Sequence, residues 1–101
     1  MDQQKLGGLF DMTALLAHTR AAAAELAPRG IRVNALAPGT VDTDMVRANT
    51  PEMQDVMENV MLLKRMAEPD EMVGPALLLT SDAGSFVTRQ VLLADGGMVP
   101  H

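Results

Sequence analysis

Few residues in this chain are equipped for proton transfer or metal binding. The histidines are His18 and His101, the acids number thirteen, and there is no cysteine, tyrosine or tryptophan. His18 stands between Ala17 and Thr19 with no acid or serine at the spacing of a nucleophilic triad, so it reads as a solvent-facing helix residue. Asp42, Asp44 and Asp95 hint at a cation site, but Asp42 and Asp44 flank Thr43 in a polar stretch and read as a solvated acidic loop. Without cysteine there is neither a disulfide nor a thiolate ligand. No catalytic residue and no metal ligand is therefore assigned. One stretch stands out: Gly30-Ile-Arg-Val-Asn-Ala-Leu-Ala-Pro-Gly-Thr-Val-Asp-Thr43 is a helix stop, a short buried strand and a Pro-Gly turn. The turn falls at the carboxyl end of the strand, where open α/β sheets place their ligands.

The elements around that stretch follow from periodicity and punctuation. Asp11 is suited to cap a helix on which Met12, Leu15, Leu16, Thr19, Ala22, Ala23 and Leu26 recur at helical spacing, and Pro28-Arg29-Gly30 stops it. Residues 31–37 alternate Ile31, Val33, Ala35 and Ala37 against Arg32, Asn34 and Leu36, which predicts a strand. Thr50-Pro51-Glu52 is a cap, a first-turn proline and a dipole-matched acid, opening a helix whose face is Met53, Val56, Met57, Val60, Met61 and Lys64. Pro69-Asp70-Glu71 opens a third helix through about Thr80, residues 81–85 are turn chemistry, and residues 90–94 form a second strand ended by Asp95-Gly96-Gly97. Residues 1–10 carry Gly7-Gly8 without periodicity and are read as an unstructured arm. About three helices and two parallel strands define an α/β fold.

Composition narrows the partners. A 48% hydrophobic chain whose only aromatics are Phe10 and Phe86 must build its core from aliphatic side chains. The net charge of −5 with scattered Lys and Arg argues against nucleic acid, which needs clustered cations. No apolar run exceeds four residues, so no membrane span is predicted, and the polar, acidic opening is unlike a secretory signal. A cytoplasmic location fits both observations.

Four segments in this order resemble one family: Glu25-Leu-Ala-Pro-Arg-Gly30 running into the stretch above, Arg65-Met-Ala-Glu-Pro-Asp-Glu71, Ser81-Asp82 with Ser85-Phe-Val-Thr88, and Asp95-Gly96-Gly97. Together, over about residues 12–98, they are similar to the carboxyl-terminal portion of a short-chain dehydrogenase/reductase. The resemblance implies a partial Rossmann-type fold in residues 11–101, holding the last two strands of the family's sheet. It implies NAD or NADP as cofactor, and a loop over the nicotinamide made by Pro38, Gly39, Val41 and Thr43, with the Val41 backbone and the Thr43 hydroxyl meeting the carboxamide. Residues 44–64 would be the family's mobile substrate lid. The family's glycine-rich pyrophosphate turn has no counterpart among the glycines here, and its catalytic Tyr and Lys would fall at Gly8 and Met12. Asn34 does not correspond to the family's active-site asparagine and reads as structural. Arg89 stands where the family pattern has glycine, which puts the local turn in question. The expectation is a truncated reductase-like chain, not catalytic alone, that forms a homo-oligomer or completes another reductase chain and meets a small-molecule substrate only when complemented.

Overall fold

A computed structural model describes residues 3–98 of the chain, and side chains from residue 13 onward. The order is α1 (Gln3–Leu26), β1 (Ala35–Pro38), α2 (Asp44–Arg47), α3 (Pro51–Asn59), α4 (Val73–Thr80) and β2 (Val91–Ala94), with single 3-10 turns after α1, before α4 and after α4. The two strands form a parallel pair in the register Ala35–Val91, Leu36–Leu92, Ala37–Leu93 and Pro38–Ala94.

Helix α1 begins at Gln3, so Asp11 lies inside it and is no cap, and residues 3–10 are helical rather than an arm. Propagating an existing helix costs little, and Gln, Lys and Leu are good formers that offset Gly7 and Gly8. Among its described side chains, Thr19 and Ala23 are buried, and Leu16 and Leu26 are half-buried on the same stripe. Helix α1 lies against β1. The Thr19 hydroxyl is satisfied by donating to the Leu15 carbonyl at 2.7 Å. Pro28 sits in the 3-10 turn, and Gly30 at φ 74° ends the helix where a left-handed residue is needed.

Strand β1 starts four residues later than alternation predicts. The Val33 amide donates to the Thr88 hydroxyl (3.1 Å), Arg89 N–H to the Val33 carbonyl (2.9 Å), and Gln90 N–H to Asn34 Oδ1 (3.1 Å). Side chains thus take the place of ladder partners, and the regular pairing begins only at Ala35, whose N–H meets the Gln90 carbonyl at 2.9 Å. Asn34 also donates to the Val87 carbonyl at 2.9 Å, which makes it a brace between the two strand approaches. Arg32 does the same further out, donating to the Val87 and Ser81 carbonyls at 3.1 Å each.

The bend is made by Arg89 at φ 65°. A non-glycine residue there costs roughly 1–2 kcal/mol in backbone strain. Arg89 is exposed, so its side chain adds no packing to offset that strain. Arg89→Gly should therefore stabilise the chain by about 0.5–1 kcal/mol after the extra unfolded-state entropy of glycine is subtracted. A thermal melt should show a rise of about 3–6 °C.

Two helices are shorter than their sequence signals. Helix α3 opens as expected, with Thr50 Oγ1 accepting from Met53 N–H at 3.2 Å, but stops at Asn59. Met61 and Lys64 therefore leave its face. Met61 is 2% exposed and makes an antiparallel bridge to Met98. Leu62 and Leu63 donate to the Gly97 and Gly96 carbonyls at 2.9 and 3.0 Å. The segment read as one helix over 69–80 is a 3-10 turn, Pro69–Met72, followed by α4. Pro75 has no N–H to give the Glu71 carbonyl, so the α-ladder cannot reach back that far.

Candidate functional site

The carboxyl ends of both strands open onto one cavity of about 250 Å³, lined among others by Gly39, Thr40, Leu63, Met72, Leu93 and Asp95. Strand geometry sets this up. Ala35 and Gly39 point their amides at β2, Gly39 donating to the Ala94 carbonyl at 3.2 Å. By alternation Pro38 lies with its nitrogen on the outer edge of β1, where no ladder bond is lost. Gly39 passes so close to β2 that an added Cβ would stand 2.9 Å from both Cα and O of Asp95. Glycine is the residue that lets the two strand ends meet there.

The four residues of the expected cofactor loop diverge beyond that point. Pro38 is exposed at the strand end and Gly39 forms part of the cavity wall. Val41 is half-buried and forms a parallel bridge with Ala67, through Ala67 N–H to the Thr40 carbonyl (2.9 Å) and Asp42 N–H to the Ala67 carbonyl (2.7 Å). Thr43 is exposed and caps α2, its Oγ1 accepting from Val46 N–H at 3.4 Å. Its hydroxyl proton remains available to an acceptor. Gly39 alone of the four lines the cavity; Val41 and Thr43 lie in the segment that leads on into α2.

Asp42 is committed to a charge pair: its carboxylate receives Nε and Nη2 of Arg47 at 2.6 and 2.5 Å. Gln54 ties α3 to the end of α2 by donating to the Arg47 and Asn49 carbonyls at 3.2 and 2.9 Å. Among the described residues no three His, Asp or Glu side chains gather as metal ligands. His18 is exposed on α1.

Sequence reasoning missed the second ion pair at the site. Arg65 Nη1 and Nη2 meet Glu71 Oε1 and Oε2 at 2.6 and 2.9 Å. The signal was present: Glu68-Pro-Asp-Glu71 has the acid three residues beyond the cap that reaches back to the cap amide. Glu71 Oε1 does accept from Glu68 N–H, at 2.9 Å. The Arg65 hydrogen bond foremost, then the Glu68 amide, lowers the Glu71 carboxyl from its ordinary 4.5 to about 2. A carboxyl depressed in the folded chain contributes its full stabilisation above its ordinary pKa and loses it as pH falls through the folded value. The window is thus pH 4.5 down to about 2. Carboxyl NMR titration should place the Glu71 midpoint near pH 2, and Arg65→Met should move it up toward the ordinary range.

Comparison with known proteins agrees with this architecture. A family model described as Enoyl-(Acyl carrier protein) reductase matches residues 12–99. A galactitol 2-dehydrogenase of Cereibacter sphaeroides is 47% identical over 81 residues, covering 78% of this chain and 32% of that protein. A short-chain dehydrogenase of Penicillium roqueforti is 40% identical over 87 residues, 83% of this chain and 32% of its own. The crystal structure of a 3-oxoacyl-acyl-carrier-protein reductase from Brucella melitensis superposes with a TM-score of 0.83 at 39% identity, over 88% of this chain and 33% of that one. The chain thus spans about a third of the length of each of these relatives. Parallel strands in this register, a Pro-Gly turn at their carboxyl ends and a family match over most of the residues have one explanation: the chain belongs to the short-chain dehydrogenase/reductase family.

Proposed function

We propose that these residues form the nicotinamide-side wall of the cofactor cleft of an NAD- or NADP-dependent oxidoreductase acting on a hydroxyl or carbonyl substrate, and that the 101 residues alone do not turn over. The observation that carries this reading is Gly39 at the carboxyl end of a parallel strand, packed without room for a side chain and opening onto the cavity. When bound, the nicotinamide supplies a hydride donor or acceptor. In this chain the Val41 backbone and the free proton of the Thr43 hydroxyl would hold its carboxamide. Leu63, Met72 and Leu93 would keep water from that face of the cavity. No glycine-rich turn leads into a helix start here, so the pyrophosphate has no ring of free amides. These residues also contain no tyrosine for proton exchange with a carbonyl. The test is a titration of the chain with NADH and NADPH, followed by cofactor fluorescence. No stoichiometric binding is expected, and clear one-to-one binding would sink the claim that the chain is incomplete as a cofactor site.

A second reading is supported by the surface. Among the described side chains, Ala23 and Met61 are the buried hydrophobic residues, whereas Phe86 is fully exposed and Leu62, Leu63, Leu77 and Val73 are more than half exposed. Exposed apolar surface on this scale calls for a cover. A second copy or a complementing reductase chain supplies it, and the small-molecule substrate is then met by the assembly. Sedimentation equilibrium should find species heavier than 10.8 kDa; a monodisperse monomer would remove this reading.

A further inference from the structure

Ala67 is the point from which the cavity loop hangs. Its N–H and carbonyl both bond to the 40–42 segment, at 2.9 and 2.7 Å. Its neighbours on either side are held by one ion pair. Arg65 Nη1 donates to the Met66 carbonyl at 3.3 Å, and Glu71 Oε1 accepts from Glu68 N–H at 2.9 Å. The two side chains then close on each other as a fork, at 2.6 and 2.9 Å. The peptide units flanking Ala67 are therefore fixed by the same two residues that face each other across the turn.

We propose that Arg65 and Glu71 are positioning residues that fix Ala67, and through it the loop from Thr40 to Thr43. Neither touches that loop directly by any of these bonds; the effect passes through the Ala67 backbone. Asp42 carries it onward, since its carboxylate grips Arg47 of α2. The magnitude decides the kind of role. The Arg65 and Glu71 side chains are 53% and 41% exposed, and an exposed ion pair adds little to global stability. What the fork sets is local geometry: which way the Ala67 N–H and carbonyl point. The consequence for carboxamide binding rests on the cofactor-wall reading given above, whereas the loop geometry does not.

The test is amide hydrogen exchange on the whole chain without cofactor, comparing wild type with Arg65→Met and Arg65→Lys. In Arg65→Met the Ala67 and Asp42 amides should exchange about tenfold faster, while Ala35 and Gly39 in the β-ladder stay within about twofold. Arg65→Lys keeps the charge but loses the fork, so it should fall between the two. Unchanged exchange at Ala67 and Asp42 would overturn the proposal. So would equal acceleration at Ala35 and Gly39, or an unfolded Arg65→Met chain, since either assigns Arg65 to the fold as a whole. Because no cofactor is present in the exchange experiment, one-to-one NADH binding and unchanged exchange at Ala67 and Asp42 remain separate failures.

Discussion

Gly84→Ala is expected to be the most damaging single-methyl change in this chain. Gly84 is buried in the 3-10 turn after α4, and a Cβ built on it would overlap the Leu78 carbonyl oxygen. That oxygen belongs to helix backbone and cannot swing aside as a side chain would. The added methyl would also stand 3.4 Å from Arg32 Nη1, the nitrogen that donates to the Val87 carbonyl. The turn must therefore open, while the tip of the flexible Arg32 side chain needs to give little. Overpacking costs about 1–3 kcal/mol and sometimes more, and backbone contact puts this site at the upper end. A chain of this size should lose about 10–20 °C in Tm. Gly74→Ala is the matched control, because nothing lies within 4 Å of its Cβ position and the residue is exposed on α4. That variant should gain up to about 1 kcal/mol from helix propensity. If both variants melt alike, steric overlap at Gly84 is not what sets the result.

Gly39→Ala should weaken the site more selectively. Its Cβ would meet Asp95 Cα and O at 2.9 Å, so the carboxyl ends of β1 and β2 must separate by a few tenths of an ångström. The cost is about 1–3 kcal/mol, again because backbone meets backbone. The Gly39 to Ala94 hydrogen bond, already 3.2 Å long, is the first to go, whereas Ala35 to Gln90 at 2.9 Å lies at the opposite end of the pairing. Amide exchange should therefore rise at residue 39 and stay near wild type at Ala35, with a Tm loss of about 5–15 °C. Uniform loss of protection along the strand would show that the sheet fails as one unit.

The parts of the fold that could be read from sequence are those set by local chemistry. Gly30 closes α1, Thr50-Pro51 opens α3, and Pro38-Gly39 ends β1, because a left-handed residue, a hydroxyl acceptor and a missing N–H act within one turn of themselves. The divergences come from partners far along the chain. Alternation marked residues 31–37 as strand, but the Thr88 hydroxyl and the Asn34 side chain occupy ladder positions across some 55 residues, and no pattern within 31–37 records that. The helical stripe through Met61 and Lys64 was real as a pattern, yet Met61 is claimed by Met98. Pro75 is a local signal too: its missing N–H sets how far back the α4 ladder can reach. At the site, Gly39 was readable from its motif, whereas the Arg65–Glu71 fork required knowing that Ala67 pairs with the 40–42 segment.

The pairing of residues 61–63 with 96–98 bears on how the chain is made as well as how it stands. A ribosome delivers residues in order, at roughly 5–20 per second. Strand β1 and the segment after α3 both emerge before their partners, β2 and residues 96–98. For a few seconds β1 is without β2, and the apolar run from Met61 to Leu63 is without the 96–98 segment. Loop closure over such separations is what slows folding, and it cannot start until the last partners arrive. During that interval a nascent chain has its most adhesive segments in solvent, so the yield of folded protein should depend on synthesis rate and on holding factors that bind apolar segments.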